Sequence, residues 1–288
     1  RSRIAKRKNT QQEVKMKRKS PEESGGKKTA SDELSGMFDF VAPTEMVDLP
    51  SKGKYYPEDH PLYSQDVIEI KYMTARHEDI LTNRSLLKKG VALNRLIDEL
   101  IVNKDIKGMD LLVGDRNAIM ISARASAYGG KYDTSVSCPS CEHNSKHSFD
   151  LYEPKVTHGS LSDKAVKTER GTFIITTPHS KIDVEVKLLT GREEAELLKV
   201  FSDKKNKDAG MVSEQLKMII VAVKERKEPN IINYFIENCP AAETRYIRRV
   251  FEELSPDLKI IGDFECPSCG HEQELEVAFG ADFFWPDR

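Results

Sequence analysis

The sequence predicts an α+β protein made of two similar halves, and three observations carry that reading. A strand, a Thr-x-Arg step and a helix occur twice in the same order. A Cys-Pro-Ser-Cys turn also occurs twice, each time ahead of strand-like residues. The first residues are basic and poor in apolar side chains, which sets them apart from everything that follows. Each half is expected to fold as a small antiparallel sheet with helices beside it.

The bulk composition agrees. With 288 residues, 38% of them apolar and 32% charged, the chain can build a sizeable core yet is hydrophilic for a globular protein. A folded body with a solvated extension reconciles the two. Residues 1–28 hold eleven Lys or Arg against three Glu, whereas the whole chain has a net charge of -2, so the remainder sums to about -10. Residues 1–36 bury too little apolar surface to offset their ordering entropy and are expected to form a flexible basic arm, either simply solvated or ordered against a partner. No run of about twenty apolar residues could span a bilayer, and no apolar segment near the start has the form of a secretory signal. A soluble protein folding in the cytosol is expected.

The first half is expected over residues 37–155. Its folding signals start at Met37-Phe38-Asp39-Phe40-Val41. Pro50, Gly53 and Pro57 then mark a tight turn that carries Tyr55 and Tyr56, two rings that either pack on their own core or anchor a partner. The turn lacks the spaced glycines and the Gly-Lys-Ser/Thr ending of a phosphate-binding loop. Val67-Ile68-Glu69-Ile70-Lys71 alternates apolar and charged residues as a half-buried strand does, and Thr74-Ala75-Arg76 opens a helix with Thr as its cap. A second helix is expected over residues 93–101, and a third over residues 114–121.

The second half, expected over residues 156–288, repeats this order. Asp183-Val184-Glu185-Val186-Lys187 is the strand and Thr190-Gly191-Arg192 the helix start, with Glu193 placed to complete a capping box. Further helices are expected over residues 213–221 and 242–251. The offset between equivalent points is 116 residues at the Thr-x-Arg steps and 128 at the Cys-Pro-Ser-Cys turns, a drift that a few loop insertions would supply. Matching order at four points argues for an internal duplication packed about a pseudo-twofold axis.

Cys138-Pro139-Ser140-Cys141 and Cys266-Pro267-Ser268-Cys269 each present two thiolates, while tetrahedral zinc takes four at ~2.3 Å. Redox dithiols usually open a helix after a strand, and both pairs here precede alternating, strand-like residues. The economical arrangement is one structural Zn²⁺ held by Cys138, Cys141, Cys266 and Cys269, closing the duplication as a zinc ribbon does. Separate sites completed by His143, His147 or His271, and cysteines that hold no metal, are the alternatives. Cys239 has no partner by spacing and reads as a small buried hydrophobe.

No catalytic arrangement of side chains stands out. His77-Glu78 lacks the second His of a zinc-protease helix, and no Gly-x-Ser-x-Gly elbow is present. The composition of motifs therefore favours binding or assembly over catalysis.

Pro50-Ser51-Lys52-Gly53 with Tyr56-Pro57, Gly114-Asp115-Arg116, Tyr128-Gly129-Gly130 with Tyr132, and the Cys-x-x-Cys that follows resemble the baseplate hub proteins of T-even-like myoviruses, from about residue 40 to the end. The resemblance implies a non-enzymatic component of a contractile tail, located in the virion at the tail baseplate and assembled in the host cytoplasm. It further implies partners among the other hub and tail proteins, including the tape measure protein. A zinc-ribbon protein that binds nucleic acid through the basic arm is the second function weighed. Glu142, Glu265, Glu272 and Glu274 beside the cysteine turns argue against it, since they would repel phosphates.

Near the carboxy-terminal end lies Phe279-Gly280-Ala281-Asp282-Phe283-Phe284-Trp285-Pro286. Each large ring removes roughly 150–250 Å² from water on burial. Phe283, Phe284 and Trp285 are therefore expected to be a contact surface for a partner or a plug in the chain's own core.

Overall fold

The computed structural model describes residues 43–160, 163–202 and 210–285; the basic arm lies outside them. The described residues all fall within one compact unit. In its first part β1 (Thr44–Asp48) runs antiparallel to β2 (Val67–Lys71). The alternation of β2 puts Ile68 and Ile70 inside the body, and α1 (Ala75–Thr82), α2 (Arg84–Lys88) and α3 (Ala92–Leu100) follow. Ile101 leaves the helix expected there, because its backbone returns to bridge Ile70 on the free side of β2. Next come α4 (Val113–Tyr128), which extends well past the expected Ile121, and a hairpin of β3 (Lys131–Ser137) and β4 (Asn144–Asp150).

After β5 (Lys155–His158), the strands β6 (Ala165–Lys167), β7 (Phe173–Thr176), β8 (Asp183–Val186) and β9 (Ile220–Val223) form an antiparallel sheet in that order. Between β8 and β9 lie α5 (Gly191–Ser202) and α6 (Met211–Ile219). The helix expected over residues 213–221 stops at Ile219. Its Ile-Val-Ala-Val tail is rich in β-branched residues, and the slot beside β8 buries it as a strand instead. Then follow α7 (Pro229–Asn238), a helix not anticipated from the sequence, α8 (Ala241–Leu254), β10 (Pro256–Lys259), and a hairpin of β11 (Ile261–Glu265) and β12 (Glu272–Glu276).

Both parts open on a strand and a Thr-capped helix (β2 and α1, β8 and α5) and close on a long helix and a hairpin (α4 with β3–β4, α8 with β11–β12). They differ between: α2, α3 and the single bridge of Ile101 in the first stand against α6, β9 and α7 in the second, and β10 precedes only the second hairpin. The caps occupy equivalent places: the Thr74 amide donates to His77 Nδ1 at 2.9 Å and the Thr190 amide to Glu193 Oε2 at 2.9 Å. Each partner sits three residues into its helix, the position that closes a capping box. Backbone pairing stitches the parts together. β5 pairs with β10, and Leu111–Val113 pairs with Leu189–Gly191 through Val113 N–H to Leu189 O (3.1 Å) and Gly191 N–H to Leu111 O (3.0 Å). One hydrophobic core runs through both.

Two buried charges at the start of α4 fix that seam. Asp115 accepts from the Ser51 amide (3.0 Å), the Ser51 hydroxyl (2.6 Å) and the Tyr56 hydroxyl (2.7 Å). Burial pushes its carboxyl up, and those donors work against the shift. Arg116 donates to Gly108 O (2.6 Å) and Asn94 Oδ1 (2.7 Å) and lies 3.5 Å from Glu194 of α5. Gly191 leaves the guanidinium its room, since a Cβ there would stand 2.6 Å from Arg116 Nη1. Gly-Asp-Arg is thus a clasp: Gly114 permits contact with β10, Asp115 holds the Pro50 turn, and Arg116 ties α3 to α5.

Candidate metal centre

The two hairpins bring their turns together. In the first, the Cys138 amide donates to His143 O and the Glu142 amide to Cys138 O, both at 2.9 Å. In the second, the Cys266 amide donates to His271 O and the Gly270 amide to Cys266 O, again both at 2.9 Å. Each turn needs one residue in the left-handed region, Glu142 at φ 59° and Gly270 at φ 68°. The two turns therefore repeat one another bond for bond. Only the second advertises this in sequence, through its Gly.

Cys138, Cys141, Cys266 and Cys269 are all free thiols, and their four Sγ atoms lie within 4.8 Å of one another. Cys138 Sγ is 3.7 Å from Cys269 Sγ, and Cys141 Sγ is 3.7 Å from Cys266 Sγ. A disulfide would need about 2.05 Å. Four sulfurs at ~2.3 Å around a tetrahedral ion stand about 3.8 Å apart, so the donor set fits such an ion with little movement. Cys138 and Cys266 are buried and pack with Phe264, while Cys141 and Cys269 face solvent. Soft thiolates in a closed tetrahedron suit a structural Zn²⁺ and leave no position for a reacting group.

Burial works to raise the Cys266 thiol, but the amides of Cys269 and Ser268 and the sulfurs of Cys138 and Cys141 overrule it and lower it to about 6. At Cys269 the His271 amide acts to lower the thiol, while the Cys141 sulfur, burial and the Cys138 and Cys266 sulfurs push it up to about 11. Deprotonation is therefore easier at Cys266 than at Cys269.

The histidines named as alternative ligands do not join the group. His143 and His271 contribute backbone carbonyls, and the His147 ring meets Phe149 (4.6 Å) and Phe264 (5.9 Å) edge-on in the apolar layer. Cys239 is half-buried at the end of α7, apart from the cluster, and burial pushes its thiol up.

The aromatic candidates for partner contact lie mostly inside the body. Tyr55 and Tyr56 are 9% and 5% exposed; Tyr55 packs on Phe173 and donates to His158 O, and Tyr56 hydrogen-bonds Asp115. Phe283 and Phe284 are 1% and 2% exposed. Phe283 packs against Tyr132 and Phe279, each at 5.2 Å, and its carbonyl accepts from Arg124. Trp285 is half-buried against Phe284. Tyr55, Tyr56, Phe283 and Phe284 are thus packed within the body, and Trp285 is partly open to solvent.

Among the described residues no helix is long and apolar enough to cross a membrane. Comparison with curated proteins and with solved structures gives no match. A family model described as T4 bacteriophage base plate protein matches residues 42–285, nearly the whole of the chain and all of the body that carries the cysteine cluster. The chain belongs to that family of T4-like phage baseplate proteins.

Proposed function

We propose that the protein is a zinc-held adaptor of the baseplate hub, one that joins other hub and tail proteins, the tape measure protein among them, and is assembled in the host cytoplasm. Family membership makes it a structural protein of the virion tail. The observation that supports the finer reading is the meeting of two equivalent hairpins on one group of four sulfurs, its close pairs Cys141–Cys266 and Cys138–Cys269 being 125 and 131 residues apart in sequence. A closed site of this kind fixes distant parts of the chain against each other, which suits a rigid part between neighbours. The equivalent Thr caps and cysteine turns further support an internal duplication, with the metal at the junction of its copies. Glu265, Glu272 and Glu274 flank the second turn and disfavour a nucleic-acid role.

Elemental analysis of chain purified under metal-replete conditions is expected to give one zinc per chain. Two equivalents, or none, would refute the shared site. Mass spectrometry of isolated baseplates is expected to find the chain among the hub proteins, and its absence from them would refute the adaptor role.

A further inference from the structure

The two cysteine hairpins share a form but not a surface. On β3–β4 the face turned away from the core carries Lys131 directly opposite Asp150, together with Asp133 and Lys146, so opposite charges balance. On β11–β12 the equivalent face carries Asp263, Glu265, Glu272, Glu274 and Glu276, all exposed, with no cation among them. Asp263 lies directly opposite Glu274, and Glu265 directly opposite Glu272. Like charges in such pairs destabilise a hairpin. The first hairpin shows that the fold does not require them.

This face forms one bank of a groove of about 480 Å³ at the seam between the two parts. Leu112, Val113, Leu189 and Ile261 line the groove with apolar surface. Glu252, Asp257, Glu274 and Glu276 rim it. Of the two lysines there, Lys259 is already held by Asp257 (3.8 Å) and Glu276 (3.2 Å), which leaves Lys155 as the other cation.

We propose that this groove and the acidic face beside it are the docking surface for a cationic amphipathic segment of a partner protein. Aliphatic side chains of the segment enter the groove, and its Lys or Arg side chains lie over the carboxylates of β11–β12. Charge complementarity selects this occupant: nucleic acid and anionic membrane are both repelled, and a purely apolar segment would leave the paired carboxylates unrelieved. That the partner is another baseplate protein rests on the adaptor reading; the surface itself does not.

The test uses the full, zinc-loaded chain and a labelled amphipathic Leu/Lys peptide, with a Ser/Lys peptide of equal charge as control. Fluorescence anisotropy is expected to show binding of the Leu/Lys peptide that weakens as salt rises, with the Ser/Lys peptide bound more weakly. The variant Asp263→Asn/Glu272→Gln/Glu274→Gln is expected to bind about tenfold or more weakly while melting no lower than the parent, because it relieves both like-charge pairs and leaves the Lys259–Glu276 ion pair in place. Asp133→Asn/Asp150→Asn on the other hairpin should leave binding unchanged. Equal affinity of the two peptides, binding insensitive to salt in the parent, or undiminished affinity in the triple variant would each overturn the proposal. Self-association of the parent that the triple variant abolishes would assign the face to a second copy of this chain, and would overturn it too.

Discussion

If one metal ion joins the two hairpins, breaking it from either side should have one and the same cost. Cys141→Ser and Cys269→Ser test this most cleanly, because both side chains face solvent, whereas serine at Cys138 or Cys266 would also bury a hydroxyl in an apolar layer. The link closes a loop of 125 or 131 residues. On the chain-entropy estimate for a covalent cross-link, a loop of that length is worth about 5 kcal/mol. Each single variant should therefore lose several kcal/mol of metal-dependent stability, a large share of the ~5–15 kcal/mol typical of a folded domain. The double variant should lose no more than either single one, since nothing is left to break. Urea unfolding of the four proteins, with and without a chelator, supplies the cycle. With chelator present the differences should collapse. Additive losses, or a single variant at full stability with its metal retained, would mean that the hairpins do not share an ion.

Gly114→Ala gains about 1 kcal/mol of helix propensity, yet its Cβ would stand 2.3 Å from Pro256 O and 2.8 Å from Asp257 Cα, backbone atoms that cannot swing aside. Overpacking of this kind costs about 1–3 kcal/mol, so a net loss is expected in a thermal melt, and a more stable variant would show that α4 and β10 are free to part. Glu193 supplies a pH signature. Burial works to raise its carboxyl, but Lys187 and Thr190 overrule this and hold it at about 2. A depressed carboxyl stabilises the fold above its ordinary value of 4.5 and loses that contribution as pH falls toward 2. Discounted for the partly exposed Lys187, the contribution is about 1–2 kcal/mol. Acid unfolding of Glu193→Gln should lack this slope between those values, and parallel curves for variant and parent would remove Glu193 from the cap.

The sequence showed most where a local rule is sufficient. The period-two alternation of Val67–Lys71 and Asp183–Val186, the Thr caps and the cysteine turns each depend on neighbours within a few residues. It showed least where a distant slot decides. Met218-Ile219-Ile220-Val221 reads equally well as the end of a helix, and only the vacancy beside β8 makes a strand of its second half. Arg116 reads as a surface charge on an amphipathic helix, and its burial depends on Gly108, Asn94 and Glu194 meeting around it. Tyr55, Tyr56, Phe283 and Phe284 are apolar enough for a core or an interface, and sequence holds no term that separates the two. The first cap partner was also missed, because His77 takes the place that Glu193 takes in the second part and His is not the residue a capping box leads one to look for.

The cysteine turns provide a contrast between a backbone that suits its residue and one that does not. Both turns require φ near +60°, and the second meets this with Gly270 while the first holds Glu142 there. A left-handed conformation costs a side chain about 1–2 kcal/mol, and Gly gives back part of that through the freedom it has when unfolded. The site thus imposes its geometry on Glu142 against local preference. Glu142→Gly is expected to stabilise the metal-loaded protein by about 0.5–1 kcal/mol, since its side chain is exposed and no shift in charge pairing offsets the gain. Gly270→Ala should destabilise it by a similar amount, and for a conformational reason alone, because a Cβ there meets nothing within 4 Å. Thermal melts at saturating zinc measure both. If the two substitutions move stability in the same direction, the turns are not equivalent and the two hairpins are not copies of one metal-binding unit.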